Sequence, residues 1–375
     1  MNGPHVTAHA RRDRLKLLDL PNEILGHVFS HLDSQSPFDL ALKRQPSPRS
    51  TQSLTRPLKH ISLLSHRCRA IVLPRLFRHA CLDPFRLGPF LRFVQSNHLS
   101  HHIDSLVAYL QSPCSHVYPA WWARLLNGVP ARTISIICAP HVFAELAGIS
   151  IWGSDSWAFN MPYQILKLEQ SSEAAHRPIP CDSPPNLLVA RPWAALTINE
   201  GSSLKAYTTY EYFLRRTPSL ISSLHHGLSI SGDAMFANLL TFSFIAIFPF
   251  CNHVDEVLKC VRKMKSLKKL FVKLCPGPES TVLHDEIEEA QGHIDVNDPW
   301  NEFDTAWTLV AHTVIYLTME GALEELRVDD VEMEGVRQGL EESITRRLQQ
   351  WWSYQGEYSG LWCRSKAGMS KPASG

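Results

Sequence analysis

Apolar residues near the start of the chain recur with the period of an α-helix. From Leu17 the sequence reads LLDLPNEILGHVFSHL, and its apolar positions on one face are Ile24, Leu25, Val28, Phe29 and Leu32. Pro21 suits a first helical turn because its missing N–H would have no partner there, and Glu23 suits the positive end of the helix dipole. This segment therefore predicts an amphipathic helix that begins at about Pro21.

A second helical pattern runs from Pro57 to Phe77. Its apolar stripe contains Ile61, Leu64, Cys68, Ile71 and Val72. Pro74 interrupts the helical hydrogen bonds before the pattern ends. The two patterns together predict a small module of two or three short helices.

A different spacing begins near residue 100. Two residues separate a first apolar residue from a second, and one residue separates the second from a third. The middle residues of the copies are Leu106, Ile134, Leu166, Leu196, Leu228, Leu240, Leu270 and Leu326. The first five are 28 to 32 residues apart, and helix-forming stretches at 255–264, 299–319 and 335–352 separate later copies. This pattern predicts an α/β domain with parallel or mixed strands and helices outside them.

Length and composition favour a globular chain of two units. The chain has 375 residues, of which 44% are hydrophobic and 19% charged, and its mean hydropathy is −0.13. The longest apolar run, Leu239 to Cys251, is interrupted by Pro249 and is too short to cross a bilayer core of roughly 30 Å. The basic N-terminus lacks the apolar stretch of a secretory signal. We therefore expect an intracellular protein, in the cytoplasm or nucleus, without membrane contact.

The sequence offers no catalytic, metal or cofactor motif. Its nine cysteines include no C-x-x-C pair, which favours reduced thiols over disulfides or a thiolate zinc site. It also lacks the H-E-x-x-H, G-x-S-x-G, G-x-G-x-x-G and phosphate-loop patterns. We expect a non-catalytic protein without a cofactor, although a catalytic triad is defined in space and can escape a motif search.

Charge is strongly segregated along the chain. Residues 1–80 contain 13 Lys or Arg and five Asp or Glu, whereas residues 279–342 contain 18 acidic and two basic residues. A basic cluster between Lys259 and Lys273 includes the candidate substrate-binding residues Lys263, Lys265, Lys268 and Lys269. These lysines suit an acidic or phosphorylated target, the chain's own acidic stretch, or a solvated face. Aromatic residues do not interleave with them, which argues against nucleic acid.

The N-terminal residues resemble an F-box. The matching residues are Leu20-Pro21-x-Glu23-Ile24-Leu25-x-x-Val28-Phe29-x-x-Leu32, Ser62 to Arg69, and Leu73-Pro74-x-Leu76-Phe77-Arg78. The resemblance covers residues 17–80 and implies a three-helix module that docks on a Skp-type adaptor, which joins it to a cullin. It assigns adaptor-facing or module-defining positions to Leu20, Pro21, Ile24, Leu25, Val28, Leu32, Leu64 and Leu76, some of which must form the internal core.

Two features depart from the F-box pattern. Cys68 stands where the family usually has an aromatic residue, which removes contact area. An insertion at about 34–56 has the composition of a mobile loop. Both features favour a rival interpretation, in which the chain is a scaffolding or interaction protein without ligase function.

The larger domain, residues 81–355, resembles a degenerate leucine-rich-repeat solenoid, and an irregular α+β domain is the alternative. Residues 1–16 are predicted to be a disordered basic tail and residues 356–375 a flexible one. The two resemblances together imply the substrate-recognition subunit of a Skp–cullin–F-box ubiquitin ligase, whose larger domain binds an unknown protein target.

Overall fold

The computed structural model describes residues 17–32, 36–48, 56–111, 120–171, 179, 186–226 and 235–365. These residues form a mixed α/β fold, as the sequence predicts. The helices are α1 Asn22–Ser30, α2 Pro37–Ala41, α3 Arg56–Ser62, α4 His66–Leu76, α5 Leu87–Ser96, α6 Trp121–Gly128, α7 Pro140–Ala147, α8 Leu220–His226, α9 Cys251–Lys263, α10 Val282–Glu289, α11 Asn297–Glu320 and α12 Glu334–Leu348. The strands are β1 His79–Leu82, β2 Ser105–Tyr109, β3 Thr133–Cys138, β4 Gln164–Gln170, β5 Trp193–Ser202, β6 Thr241–Ile247, β7 Lys269–Lys273, β8 Glu325–Val328, β9 Trp352–Tyr354 and β10 Leu361–Arg364.

The ten strands form one sheet in the order β1-β2-β3-β4-β5-β6-β7-β8-β10-β9. Each strand from β1 to β8 therefore lies beside its neighbour in sequence, and five of these pairings are parallel. Strand β4 is antiparallel to both β3 and β5, which a solenoid of identical repeats would not contain. The leucine-rich-repeat interpretation thus stays a prediction.

The apolar spacing marks the side chains that form the core. The register aligns one apolar row across the sheet, namely Ala80, Leu106, Ile134, Leu168, Leu196, Phe242, Leu270, Leu326 and Trp362. All of these are buried against the helices that connect the strands. Because side chains alternate along a strand, the residues two positions away, such as Ala108, Ile136 and Ile198, point to the same side and form a second row beside the first.

For one strand, the spacing predicts a core position two residues too early in the chain. Leu240 is partly exposed, and Phe242 and Phe244 occupy the two core rows instead. The alternation of Thr241, Phe242, Ser243 and Phe244 is the signal that identifies this strand correctly. The copy centred on Leu228 lies outside the described residues.

Helices between the strands cover one face of the sheet. The stretches predicted as helical at 255–264, 299–319 and 335–352 correspond to α9, α11 and α12. The buried residues of α9 recur at helical spacing and include Val254, Val257, Leu258 and Val261. This helix therefore packs its apolar stripe on the sheet. Within the described residues, no helix combines the length and apolar character needed to cross a bilayer.

The helices α1, α3 and α4 form a separate small core before the sheet begins. Leu25, Phe29, Leu58, Cys68 and Val72 are its buried members. Cys68, which the sequence treats as a loss of aromatic contact, is fully buried here. Helix α4 ends at Leu76, and β1 begins three residues later, so the helices adjoin the first edge of the sheet.

The C-terminal residues differ from the flexible tail that the sequence predicts. Residues 361–364 form β10, which pairs with both β8 and β9. Gly360 makes this return possible because its backbone lies against the Val328 carbonyl, where a Cβ atom would clash. The predicted tails at 1–16 and 366–375 lie outside the described residues.

Candidate functional site

One side of the N-terminal helices presents apolar residues to solvent. Ile24, Leu63 and Leu64 are 48%, 78% and 70% exposed. This surface, here called the helical face, comprises Leu17, Leu18, Ile24, Val28, Leu32, Leu63 and Leu64. Contiguous exposed apolar surface is typical of contact sites for other macromolecules.

Hydrogen bonds from side chains of α4 to α1 and the residues before it hold the helical face in place. The Arg67 guanidinium on α4 donates to the carbonyls of Leu18 and Leu20, each at 2.6 Å, and to the Asn22 side chain at 2.7 Å. Arg75 donates to the Gly26 carbonyl at 3.2 Å. These bonds fix the position of α1 against α4 without using the exposed apolar side chains of the helical face.

The structure divides the predicted adaptor-facing residues into two groups. Pro21, Ile24, Val28, Leu32 and Leu64 are exposed on the module surface. Leu20 and Leu76 are only partly buried and pack on the small core.

Leu25 is fully buried, so its assignment as an adaptor contact is wrong. Its position on α1 points toward Phe29 and Cys68 rather than solvent. The sequence also missed Leu17, Leu18 and Leu63 as part of the helical face, although each adjoins a predicted position.

The face of the sheet opposite the helices, here called the open face, is partly covered by residues 36–48. The sequence predicts a mobile loop here, but Phe38 is buried against Val107, Ile137 and Ile165 of three neighbouring strands. We call residues 36–48 the crossing segment. An aromatic side chain on three strands gives this segment an apolar anchor that its composition alone conceals.

Polar contacts extend the crossing segment along the open face. Asp39 pairs with Lys167 on β4 at 2.8 Å. The Asn199 amide on β5 donates to the Leu42 and Arg44 carbonyls at 2.7 and 2.8 Å. The Asn199 bonds hold the segment to the sheet by its backbone carbonyls. Side-chain patterns in the sequence do not reveal contacts of this kind.

The far end of the crossing segment reaches the later strands. Lys43 pairs with Asp329, which is buried, and its ammonium lies 5.2 Å from the Phe271 ring centroid on β7. Gly201 has a φ of 80°, and a Cβ atom there would lie 3.5 Å from Gln45. The segment therefore spans from β2 to the end of β8.

The basic cluster is largely neutralised within the chain. Lys265, Lys268 and Lys269 pair with Glu320, Glu324 and Glu325 at 3.2, 3.4 and 2.9 Å. Of the three alternatives drawn from the sequence, pairing with the chain's own acidic stretch is the one present for these lysines. The assignment of these three lysines and Lys263 as substrate-binding residues stays a prediction.

A buried polar group near α9 resembles a catalytic triad in composition but differs in order. His253 Nε2 lies 2.6 Å from Glu200 Oε2, and the Ser219 hydroxyl donates to Glu200 Oε1. The carboxylate separates the histidine from the serine, so the imidazole cannot take the serine proton as a general base. This group connects α9, α8 and β5 as a structural bridge.

The described cysteines are all free thiols. Burial raises the pKa of Cys260 to about 12 and also raises that of Cys275. A buried thiol with a raised pKa is a poor nucleophile and metal ligand. Across the described part of the chain, no group of three His, Cys, Asp or Glu residues could hold a metal ion.

The comparisons with known proteins add no relative. No family model, curated protein or solved structure matches this chain.

Proposed function

We propose that this chain is the substrate-recognition subunit of a Skp–cullin–F-box ubiquitin ligase. The observation that supports the proposal is the helical face, whose exposed apolar side chains occur on the residues that resemble an F-box. Burying them in a partner's groove releases water from apolar surface, which drives association. A Skp-type adaptor is the proposed partner, and a cullin joins through it.

The larger domain is proposed to hold the protein target. Strands β1 to β8 follow one another in space as they do in sequence, which favours a degenerate leucine-rich-repeat origin, whereas the reversed β4 counts against a regular repeat. The mechanism is proximity, because a bound target lysine is held at high effective concentration near a charged conjugating enzyme. The chain itself makes and breaks no bond, and it would act in the cytoplasm or nucleus.

Adaptor capture by the full-length chain tests the proposal. Ile24→Asp combined with Leu64→Asp places two charges on the helical face. A matched control combines Val296→Asp with Met319→Asp, since these two residues are 50% and 71% exposed on the sheet domain. We expect purified Skp-type adaptor to bind the unsubstituted chain and the control, and to lose binding to the first variant by at least about 100-fold.

The rival proposal is a scaffolding protein that binds partners without a ligase. It rests on the crossing segment and on Cys68, the two departures from the F-box pattern. The rival predicts no adaptor binding by the unsubstituted chain at micromolar concentration. Equal binding by both double variants would also contradict the docking proposal, because the helical face would then be irrelevant to capture. Circular dichroism of each variant checks that the helices are retained.

A further inference from the structure

A cavity of about 600 Å³ lies away from both the helical face and the open face. It opens between the segment after α7, the start of α8 and the start of α9. Ile149, Ile151 and Trp152 supply an apolar wall, and Ser222, Ser223 and His253 supply polar groups. A cavity of this size and mixed lining is typical of sites for small molecules.

The cationic groups of the cavity are Arg215 and Arg216. The Arg216 guanidinium lies 5.0 Å from the Trp152 ring centroid and, among the described residues, has no acidic side chain within ion-pair distance. The Arg215 guanidinium lies 5.2 Å from the Trp157 ring centroid and 3.7 Å from Asp155. Stacking on tryptophan orients both guanidinium groups before any ligand arrives.

The acidic groups near the cavity already have partners. Glu256 pairs with Lys259 at 2.7 Å. Glu200 is bonded to both His253 and Ser219, as described above. Arg216 is thus the uncompensated charge of the described lining, and the cavity carries a positive bias.

Two serine hydroxyl groups in the lining lack a hydrogen-bond partner among the described residues. Ser223 is more than nine-tenths buried and borders the cavity, and its hydroxyl forms no hydrogen bond with the described residues. Ser222 borders the cavity beside it, and its hydroxyl has no partner there either. Two hydroxyl groups without protein partners at the cavity wall are therefore available as hydrogen-bond donors to a ligand.

We propose that this cavity binds a small organic anion, with one phosphate or carboxylate group on an apolar body. The Arg216 guanidinium and the two serine hydroxyls hold the anionic group, and the Ile149, Ile151 and Trp152 wall holds the apolar body. Charge-assisted bonds from guanidinium to such oxygens are among the stronger hydrogen bonds in proteins. The site is independent of adaptor docking, because it shares no residue with the helical face.

Thermal unfolding of the full chain with four probes tests the proposal. The probes are phenyl phosphate, phenylacetate, inorganic phosphate and the neutral 2-phenylethanol. We expect phenyl phosphate or phenylacetate to raise the melting temperature by at least about 2 °C at millimolar concentration. The anion that gives the larger rise identifies the preferred group. No rise with either, or an equal rise with 2-phenylethanol, overturns the proposal.

Two substitutions separate a binding role from a structural one. Arg216→Gln should lower the affinity for the probe that gives the larger rise by at least about tenfold. The control Arg347→Gln, at an exposed position, should leave that affinity unchanged. Ser223→Ala should weaken it about threefold or more while leaving the unliganded melting temperature equal or higher, since the lost hydroxyl has no protein partner and alanine favours a helix. Unchanged affinity in both cavity variants, or a lower unliganded melting temperature in Ser223→Ala, contradicts the proposal.

Discussion

The helical face and the open face of the sheet differ in how they are completed. The helical face keeps Leu63 and Leu64 exposed to solvent, whereas on the open face Phe38 of the crossing segment seals Val107, Ile137 and Ile165. One surface is therefore covered by the chain itself, and the other is exposed to solvent. The difference shows that an apolar pattern in the sequence does not by itself tell whether a surface is exposed or covered by the chain.

The crossing segment connects the two parts of the molecule. The chain leaves α1, crosses the open face and returns to α3, so the crossing segment ties the helices to strands β2 to β8. Its bonds join residues far apart in sequence, such as Asn199 with the Leu42 and Arg44 carbonyls. A tether of this kind sets the orientation of the helical face relative to the sheet. In a ligase it would set the position of the target relative to the adaptor.

The strongest test of the comparison removes one apolar side chain from each surface. Phe38→Ala should lower the free energy of unfolding of the chain by about 3–5 kcal/mol, because the substitution removes a buried ring and leaves a cavity. Leu64→Ala should change it by less than about 0.5 kcal/mol, since Leu64 already faces solvent. Denaturant unfolding measures both effects.

Hydrogen exchange shows where each effect occurs. In Phe38→Ala the amides of residues 39–48 should exchange faster, whereas those of α1 and α4 should keep their protection. A neutral Phe38→Ala would mean that the open face does not depend on the crossing segment. A destabilised Leu64→Ala would mean that the helical face is already packed in solution.

A second test uses the pH dependence of the helix beside the crossing segment. Glu286 on α10 accepts a hydrogen bond from Ser202 at 2.8 Å, next to the Gly201 that Gln45 approaches. Burial, with the nearby Glu289 and Asp285 carboxylates, raises the pKa of Glu286 to about 7. Because the folded pKa exceeds the ordinary value, the folded state binds this proton more tightly, and stability falls as pH rises from about 4.5 to 7.

Glu286→Gln should remove this loss of stability. At pH 8 the variant should unfold with a free energy higher than the unsubstituted chain by on the order of 2 kcal/mol, and at pH 4 the two should be similar. Glu288→Gln, an exposed change on the same helix, should keep the original pH profile. Parallel profiles for the unsubstituted chain and Glu286→Gln would show that Glu286 titrates normally.

The sequence predicts the strands and main helices well because their patterns report local burial. The two-residue alternation around Leu196 and the helical stripe of α9 each follow from which side faces the core. Four exposed residues of the helical face could also be predicted, namely Ile24, Val28, Leu32 and Leu64, since a helical module too small to bury all of its apolar residues leaves some exposed. Leu25 was misassigned because the period alone does not say which edge of the stripe is buried.

The crossing segment could not be predicted from local pattern. Its anchors are one aromatic side chain, two backbone carbonyls and a lysine, embedded among prolines and serines that are typical of a loop. Each anchor depends on a partner more than 60 residues away in the chain. The reversed β4 escaped prediction for a related reason, since an apolar spacing gives the same side-chain alternation in either strand direction.

The smallest expected effect concerns the end of the crossing segment at Lys43. Lys43→Ala removes the ion pair with Asp329 and the contact with the Phe271 ring, but Arg327 still donates to Asp329 at 3.1 Å. Because Lys43 is partly exposed and Asp329 keeps a partner, we expect a loss of about 1 kcal/mol in the free energy of unfolding. High salt should reduce the difference between the two chains. Lys59→Ala, an exposed change on α3, should cost less than about 0.5 kcal/mol. If Lys43→Ala costs no more than that control, the Lys43 contacts do not help to hold the crossing segment on the open face, and Phe38, Asp39 and the Asn199 bonds do so without them.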